Sequence, residues 1–328
     1  MKVIIPLAGF GTRLRPHTYS RPKPLINVAG KPVLGHVLDN LRGLPIEEYI
    51  FIRGYLGEQI EAYVSKNYGD KPAHYFEQEV LNGQSTAVNL ARSVIEGPIL
   101  LLFVDTIFEA DLSFLIDTDA DAVAFVKEVE DPRRFGVAAV DEDGIVTRFI
   151  EKPDNMDNRL AVIGMYYIRD SAALLDAIQT QLDENIQTKG EFYLADAFQI
   201  MADRGTRFET VEVDAWLDAG TSDALIETNR LLLNRGRGTS PIAKAEDVVV
   251  IPPVYIAESA KVSASVVGPY ATIGENVVVE NCVIRDSIID ADSTVRNMVL
   301  KCSLIGQQAH VNGRAQTINI GDSSQFNA

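Results

Sequence analysis

Two short stretches near the start of the chain carry residue types that handle phosphate. Val3 to Leu7 is an apolar run that reads as a strand, and it leads directly into Leu7-Ala8-Gly9-Phe10-Gly11-Thr12-Arg13-Leu14-Arg15-Pro16. A glycine-containing turn after a first strand can present backbone N–H groups to an anion. It is not a Walker loop, which needs Gly-Lys followed by Ser or Thr, and the dinucleotide fingerprint fails because Leu14 stands where its third glycine would fall. Arg21-Pro22-Lys23-Pro24-Leu25 follows, and its two prolines hold Lys23 in a stiff extended loop close in sequence to the turn. Asp105 follows the most apolar segment of the chain, Ile99 to Val104, and therefore stands at the carboxyl end of a strand.

These residues need a frame that brings them together. From residue 1 to 235, short apolar runs alternate with amphipathic stretches. Val3 to Leu7, Tyr49 to Ile52 and Ile99 to Phe103 read as buried strands, separated by helix patterns over Val33 to Leu44, Gly57 to Asn67 and Thr86 to Val94. That order predicts an α/β domain with a Rossmann-like, mostly parallel sheet, whose ligands gather outside the carboxyl ends of the strands. Ala122 to Val126, Gly136 to Val140 and Ala161 to Tyr167 predict further strands in a substrate-side extension, and Ser222 to Leu233 a closing helix.

A break follows over Asn234-Arg235-Gly236-Arg237-Gly238-Thr239-Ser240-Pro241, where no apolar period survives. The expected division is a first domain over 1–235, a linker over 236–246 and a second domain over 247–328. In the second domain Ile256-Ala257, Ile273-Gly274, Ile289-Asp290, Ile305-Gly306 and Ile320-Gly321 recur at separations of 17, 16, 16 and 15 residues. A small or β-branched residue lies four positions on (Ala260, Val277, Ser293, Ala309, Ser324), and an apolar one six positions on (Val262, Val279, Val295, Val311, Phe326). This hexapeptide spacing predicts a parallel β-helix whose coils stack these residues inward.

Composition narrows the function classes. Of 328 residues, 46% are hydrophobic and 23% charged, as in an ordinary globular protein, and the net charge of −16 repels nucleic acid and anionic lipid. The longest apolar run is far too short to span a bilayer. Cys282 and Cys302 offer neither a disulfide framework nor zinc spacing, and both read as small buried hydrophobes. With Met1-Lys2-Val3 running straight into a strand, a cytoplasmic protein is expected.

Gly9-x-Gly11-Thr12-Arg13-Leu14 followed by Pro22-Lys23-Pro24-Leu25 resembles the signature of the sugar-1-phosphate nucleotidylyltransferases, the NDP-sugar pyrophosphorylases. The resemblance continues through Phe149-Ile150-Glu151-Lys152-Pro153, Gly190-Glu191-Phe192-Tyr193-Leu194-Ala195-Asp196 and Ala215-Trp216-Leu217-Asp218-Ala219-Gly220-Thr221. It covers the first domain, and the left-handed β-helix that several branches append matches the second. Phe10 and Val104 stand at positions more often glycine, and Gln84-Ser85-Thr86-Ala87 replaces a more compact loop.

The chemistry this implies joins two polyanions. A sugar 1-phosphate oxygen attacks the α-phosphorus of a nucleoside triphosphate in line and pyrophosphate leaves, so positioning and charge neutralisation matter more than a general base. Arg13 and Lys23 suit the triphosphate, and Lys152 the sugar phosphate, with Glu151 accepting from sugar hydroxyls. The resemblance assigns nucleotide binding to Leu7, Ala8, Gly9, Gly11, Thr12 and Arg13, and the base to Gln78 and Gly83. It assigns the sugar to Gly136, Gly164 and Glu191 beside Glu151 and Lys152, and Mg2+ to Asp105 and Asp218. Magnesium prefers one or two carboxylates plus phosphate oxygens.

The reading favoured is an enzyme using dTTP or UTP with glucose 1-phosphate, the Trp216-Leu217-Asp218-Ala219-Gly220-Thr221 segment pointing to the thymidylyltransferase branch. Three alternatives stay open: guanylyl transfer to mannose 1-phosphate, a regulatory paralogue without turnover, and a bifunctional enzyme with acyl transfer in the coils, where His310 would act as base. Stacked coils expose flat apolar faces, so a homo-oligomer is expected through the β-helix.

Overall fold

The computed structural model describes residues 1–237 and 247–314. The chain folds into two compact units. One joins Met1–Ile26 to Pro32–Ala224, and the other joins Asn27–Lys31 to the chain from Leu225 onward.

The strands of the first part of the chain are β1 (Lys2–Pro6), β2 (Asn27–Val28), β3 (Lys31–Pro32), β4 (Glu48–Arg53), β5 (Ala73–Glu77), β6 (Ile99–Leu102), β7 (Thr106–Glu109), β8 (Ala122–Glu128), β9 (Gly136–Val140), β10 (Val146–Glu151), β11 (Leu160–Ile168), β12 (Phe208–Glu212) and β13 (Ala215–Asp218). The helices are α1 (Val33–Asn40), α2 (Gly57–Asn67), α3 (Gln84–Leu90), α4 (Ser171–Asp183), α5 (Leu194–Asp203) and α6 (Ser222–Asn234). The main sheet runs β10-β9-β11-β6-β1-β4-β5, with β8 against β11 and β12 against β8.

The half containing β6, β1, β4 and β5 is parallel, as the alternating pattern predicts. The centres of β1, β4 and β6 are apolar because both faces are covered, with Val3, Ile4, Ile5, Ile50, Phe51 and Ile52 having no exposed surface, whereas the edge strand β5 is only half-buried. From β11 outward the sheet turns antiparallel, through β6–β11, β11–β9 and β9–β10, so the mostly parallel expectation holds for one half and the sheet is mixed. Two helices are shorter than their periodicity suggests. After Asn40 the bonds from Leu41, Arg42 and Leu44 reach back only three residues, tightening the chain before Pro45. Likewise Ala91 and Arg92 bond to Val88 and Asn89, and α3 closes four residues before Val94.

Three four-stranded parallel sheets make up the coils of the second unit, the architecture of a left-handed β-helix. One column of paired residues is Ile256, Ile273, Ile289 and Ile305, and another is Val262, Val279, Val295 and Val311, which are two of the predicted repeat positions. Ile320-Gly321 lies outside the described residues. The coils turn at left-handed residues, and asparagines suit these corners because they tolerate positive φ. Two of them bond along the stack, Asn281 donating to Asn297 at 2.9 Å and Asn297 to Asn312, which ends a strand, at 3.0 Å. Cys282 is buried as expected, but Cys302 is exposed. Its φ of 50° marks a left-handed corner, where the side chain leaves the core. Among the described residues no helix is long and apolar enough to cross a membrane.

Candidate active site

β1 ends at Pro6, and the chain leaves the sheet between β4 and β6. The following turn encloses a cavity of about 310 Å³ lined by Leu7, Gly9, Gly11, Thr12, Arg13, Lys23 and Asp105, among others. Gly11 has φ +61°, and a Cβ there would stand 2.9 Å from Lys23 Cβ. Both the left-handed backbone and the close approach of Lys23 require glycine. Thr18 Oγ1 donates to the Gly11 carbonyl at 2.8 Å and ties the turn down.

Lys23 is largely buried, and its Nζ lies 3.9 Å from Asp105 Oδ2. Burial pushes its ammonium below the ordinary lysine range; Asp105 and Asp218 oppose that shift while Arg13 adds to it. These four charged groups therefore share one field. Asp105 precedes β7, and Asp218 ends β13; the two strands pair antiparallel with Asp218 opposite Thr106. The Asp105 carbonyl accepts from Ala219 N–H at 3.0 Å, locking the two acidic segments side by side. Asp218 Oδ1 accepts from Gly220 N–H at 2.6 Å. A Cβ on Gly220 would lie 2.8 Å from Asp218 Oδ1 and 3.3 Å from the Arg13 guanidinium, so glycine leaves room for both.

A second cavity, about 710 Å³, is lined by Arg13, Asp105, Asp218, Gly136, Glu151, Lys152 and Gly164 together with Phe103, Phe135, Tyr193 and Trp216. Arg13, Phe103 and Asp105 belong to both cavities. Glu151 ends β10 opposite Gly136 on β9, and a Cβ on Gly136 would meet Glu151 Oε2 at 2.9 Å. Only a glycine lets that carboxylate cross the neighbouring strand. Gly164 serves the backbone: its φ is +77°, it sits where β11 shifts register against β8, and its carbonyl accepts from Phe103 N–H at 2.9 Å.

Lys152 adopts φ 47°, rare for a lysine, and its N–H donates to Phe135 O at 2.9 Å. Its Nζ donates to Tyr193 Oη at 2.9 Å and stands 3.6 Å from Glu151 Oε1. Burial opposes the Lys152 charge, but Tyr193, Glu151 and Glu191 more than offset it and its pKa lies above the ordinary value. Burial raises the Glu151 pKa, with Lys152 opposing.

Residues 2–235 match the family model described as nucleotidyl transferase. The chain belongs to that family. Over 99% of both chains it is 31% identical to a low-salt glycan biosynthesis nucleotidyltransferase of Haloferax volcanii, and 27% identical, again over 99% of each, to a glucose-1-phosphate thymidylyltransferase of Streptomyces griseus. A crystal structure of UDP-glucose pyrophosphorylase complexed with UDP-glucose superposes with a TM-score of 0.61 at 20% identity, covering 71% of this chain and 98% of that one, which shows a shared fold.

Within this nucleotidyl transferase most of the expected residues line the two cavities. Ala8 is packed away from them: a Cβ on Gly54 would lie 2.7 Å from the Ala8 carbonyl. Gln78 and Gly83 line neither cavity; the buried Gln78 amide donates to the Gly83 carbonyl at 3.1 Å and shapes the loop entering α3. Glu191 is exposed and also outside both linings, its N–H bonded to Thr188 O at 3.1 Å. Tyr193 and Trp216 stand inside the quoted motifs and Phe135 immediately precedes Gly136, yet the sequence alone assigns none of the three a role. Phe135 and Trp216 meet edge to face at 4.8 Å, and the buried Trp216 Nε1 has no hydrogen-bond partner among the described residues.

The acidic pair fits a hard divalent cation. Among the described residues no group of three or more His, Cys, Asp or Glu can hold a metal. Two adjoining carboxylates on a cavity wall, Asp105 more than half exposed, leave coordination positions for phosphate oxygens and water, the pattern magnesium favours.

Proposed function

We propose that this nucleotidyl transferase joins a nucleoside triphosphate to a sugar 1-phosphate, giving an NDP-sugar and pyrophosphate, with dTTP or UTP as donor and glucose 1-phosphate as acceptor. The observation that carries it is the pair of cavities meeting at Arg13 and Asp105. The turn from Leu7 to Arg13 and Lys23 would hold the triphosphate in the smaller cavity, and Lys152 the sugar phosphate in the larger. At their junction the phosphate oxygen forms a bond to the α-phosphorus as the α–β bridging bond breaks, and the electron pair leaves with pyrophosphate. Both phosphates are ionised near neutral pH, so no side chain needs to take a proton. Arg13 and Lys23 would neutralise charge on the donor and leaving group, and Lys152 would orient the nucleophile. Asp105 and Asp218 would hold Mg2+, which neutralises phosphate charge when bound.

Glu151 would accept from sugar hydroxyls, and Gly136 gives it room. Its raised pKa means that the accepting carboxylate is lost at a higher pH than for an ordinary glutamate. KM for the sugar 1-phosphate should therefore rise as pH falls towards the acid range. In Glu151→Gln the part of that rise set by Glu151 should be gone and KM already raised at neutral pH; an acid limb identical to that of the unaltered chain would remove Glu151 from sugar binding. The function itself is tested by assaying pyrophosphate release from each nucleoside triphosphate against a panel of sugar 1-phosphates. Release with dTTP or UTP and glucose 1-phosphate supports it, and release only with another pair would reassign the substrates.

Residues 1–235 are proposed as the catalytic domain, followed by a linker over 236–246 and the coil domain over 247–328, with the enzyme acting in the cytoplasm, where nucleoside triphosphates are made. Self-association through the coils is proposed on Val249, Val266, Val283 and Val299, which stack in register on one sheet; three are exposed, Val299 at 76%. Sedimentation should report an oligomer that Val283→Lys with Val299→Lys dissociates; a native monomer would refute it.

A further inference from the structure

The coil repeat has one departure. Where other coils follow the inward isoleucine with Ala257, Gly274 or Gly306, this one has Asp290, only 7% exposed. Burying a carboxylate in a position otherwise filled by the smallest residues is costly unless it is bonded. Asp290 Oδ1 accepts from Ala291 N–H at 2.8 Å and from Asn27 Nδ2 at 2.6 Å.

Asn27 opens a short hairpin in which Ala29 (φ 47°) and Gly30 (φ 81°) form the turn between β2 and β3. A positive φ at alanine persists only where the surroundings hold it. Here Ala29 N–H donates to Asn229 Oδ1 at 2.9 Å. Asn229, on α6, has no exposed surface; its Oδ1 also accepts from Thr272 Oγ1 at 2.6 Å, and its Nδ2 donates to Tyr270 O at 3.1 Å. Gly30 lies against the Tyr255 ring, so closely that no Cβ would fit. Residues 27–31 are thus held by the coil unit.

The hairpin begins four residues after Lys23, and the connection is stiff. Leu25 N–H donates to Pro22 O at 2.9 Å and Ile26 N–H to Lys23 O at 3.1 Å, so residues 22–26 form a hydrogen-bonded turn containing two prolines. A chain of this kind transmits a restraint rather than absorbing it.

We propose that Asp290 and Asn229 are positioning residues for the triphosphate half of the reaction: by fixing Asn27 and Ala29 they hold the Pro22–Ile26 turn, and with it Lys23, in place. This rests on the proposed role of Lys23. The restraint acts along the chain from Asn27 to Lys23 and accounts for the break in the repeat at Asp290.

The test uses the full chain with Asn27→Ala, Asp290→Ala and the exchange Asn27→Asp with Asp290→Asn, which restores the hydrogen bond with donor and acceptor reversed. Alanine is what another coil carries at this position, so Asp290→Ala should fold. Each single variant should raise KM for the nucleoside triphosphate about fivefold to tenfold, the weight of one ordinary hydrogen bond, and leave KM for the sugar 1-phosphate within about twofold. The exchange should restore most of the loss. An unchanged triphosphate KM in both single variants would overturn the proposal, as would both KM values moving together without rescue. Lys23→Met separates the layers. If it leaves the triphosphate KM unchanged, the role of Lys23 falls and the inference with it; if it raises that KM while Asp290→Ala does not, the inference falls alone.

Discussion

Asp105→Asn and Asp218→Asn should each lower kcat about a hundredfold to a thousandfold, the usual loss when a group stabilising transition-state charge is removed. Asparagine keeps shape and hydrogen-bonding capacity but removes the negative charge that would hold the cation. Both side chains are exposed, so the substitutions should cost little stability and the melting temperature should stay near that of the unaltered chain. The loss should not be confined to one substrate, because the two segments are joined by the Ala219-to-Asp105 backbone bond at the wall of the larger cavity. Steady-state pyrophosphate release at saturating magnesium is the measurement. Near-normal turnover in both variants would remove the acidic pair from the chemistry.

Arg13→Gln should be the next most damaging change, lowering kcat/KM for both substrates about a hundredfold, whereas substitutions in either cavity alone should fall mainly on one. The reason is position: Arg13 lines both cavities and approaches Gly220 beside Asp218. Arg13→Lys should recover only part of the loss, since an ammonium keeps the charge but not the planar fork that can engage two phosphate oxygens at once. If Arg13→Gln affected KM for the triphosphate alone, Arg13 would be a nucleotide contact and the junction would need another cation.

Much of this was legible in the chain because local rules coincide with global ones. Val3 to Leu7 and Ile99 to Phe103 read as continuous apolar runs, and the buried strands Lys2–Pro6 and Ile99–Leu102 stand there because both faces of the sheet are covered. Coil columns were legible because each residue stacks on its counterpart one turn away. The antiparallel half of the main sheet was not, as strand direction depends on how distant segments return and leaves no period in any one of them. In the site, glycines were visible but their reasons were not: Gly136 yields to the Glu151 carboxylate across a strand pair, and Gly164 marks a bulge. Gln78 resembled a base contact, yet its amide is hydrogen-bonded within its own loop. Tyr193 escaped because its partner, Lys152, lies 41 residues away. The anchoring of Asn27 by Asp290, 263 residues apart, could be seen in sequence only as a flaw in the repeat.

The most direct test is a crystal structure of the protein with Mg2+ and the product NDP-sugar. The nucleoside end should occupy the cavity beneath Gly9 to Arg13 and the sugar the one lined by Glu151 and Lys152. The diphosphate should bridge them at Arg13, with one metal ion touching both Asp105 and Asp218. Density for the diphosphate elsewhere, or carboxylates of Asp105 and Asp218 turned from it with no shared ion, would contradict the account.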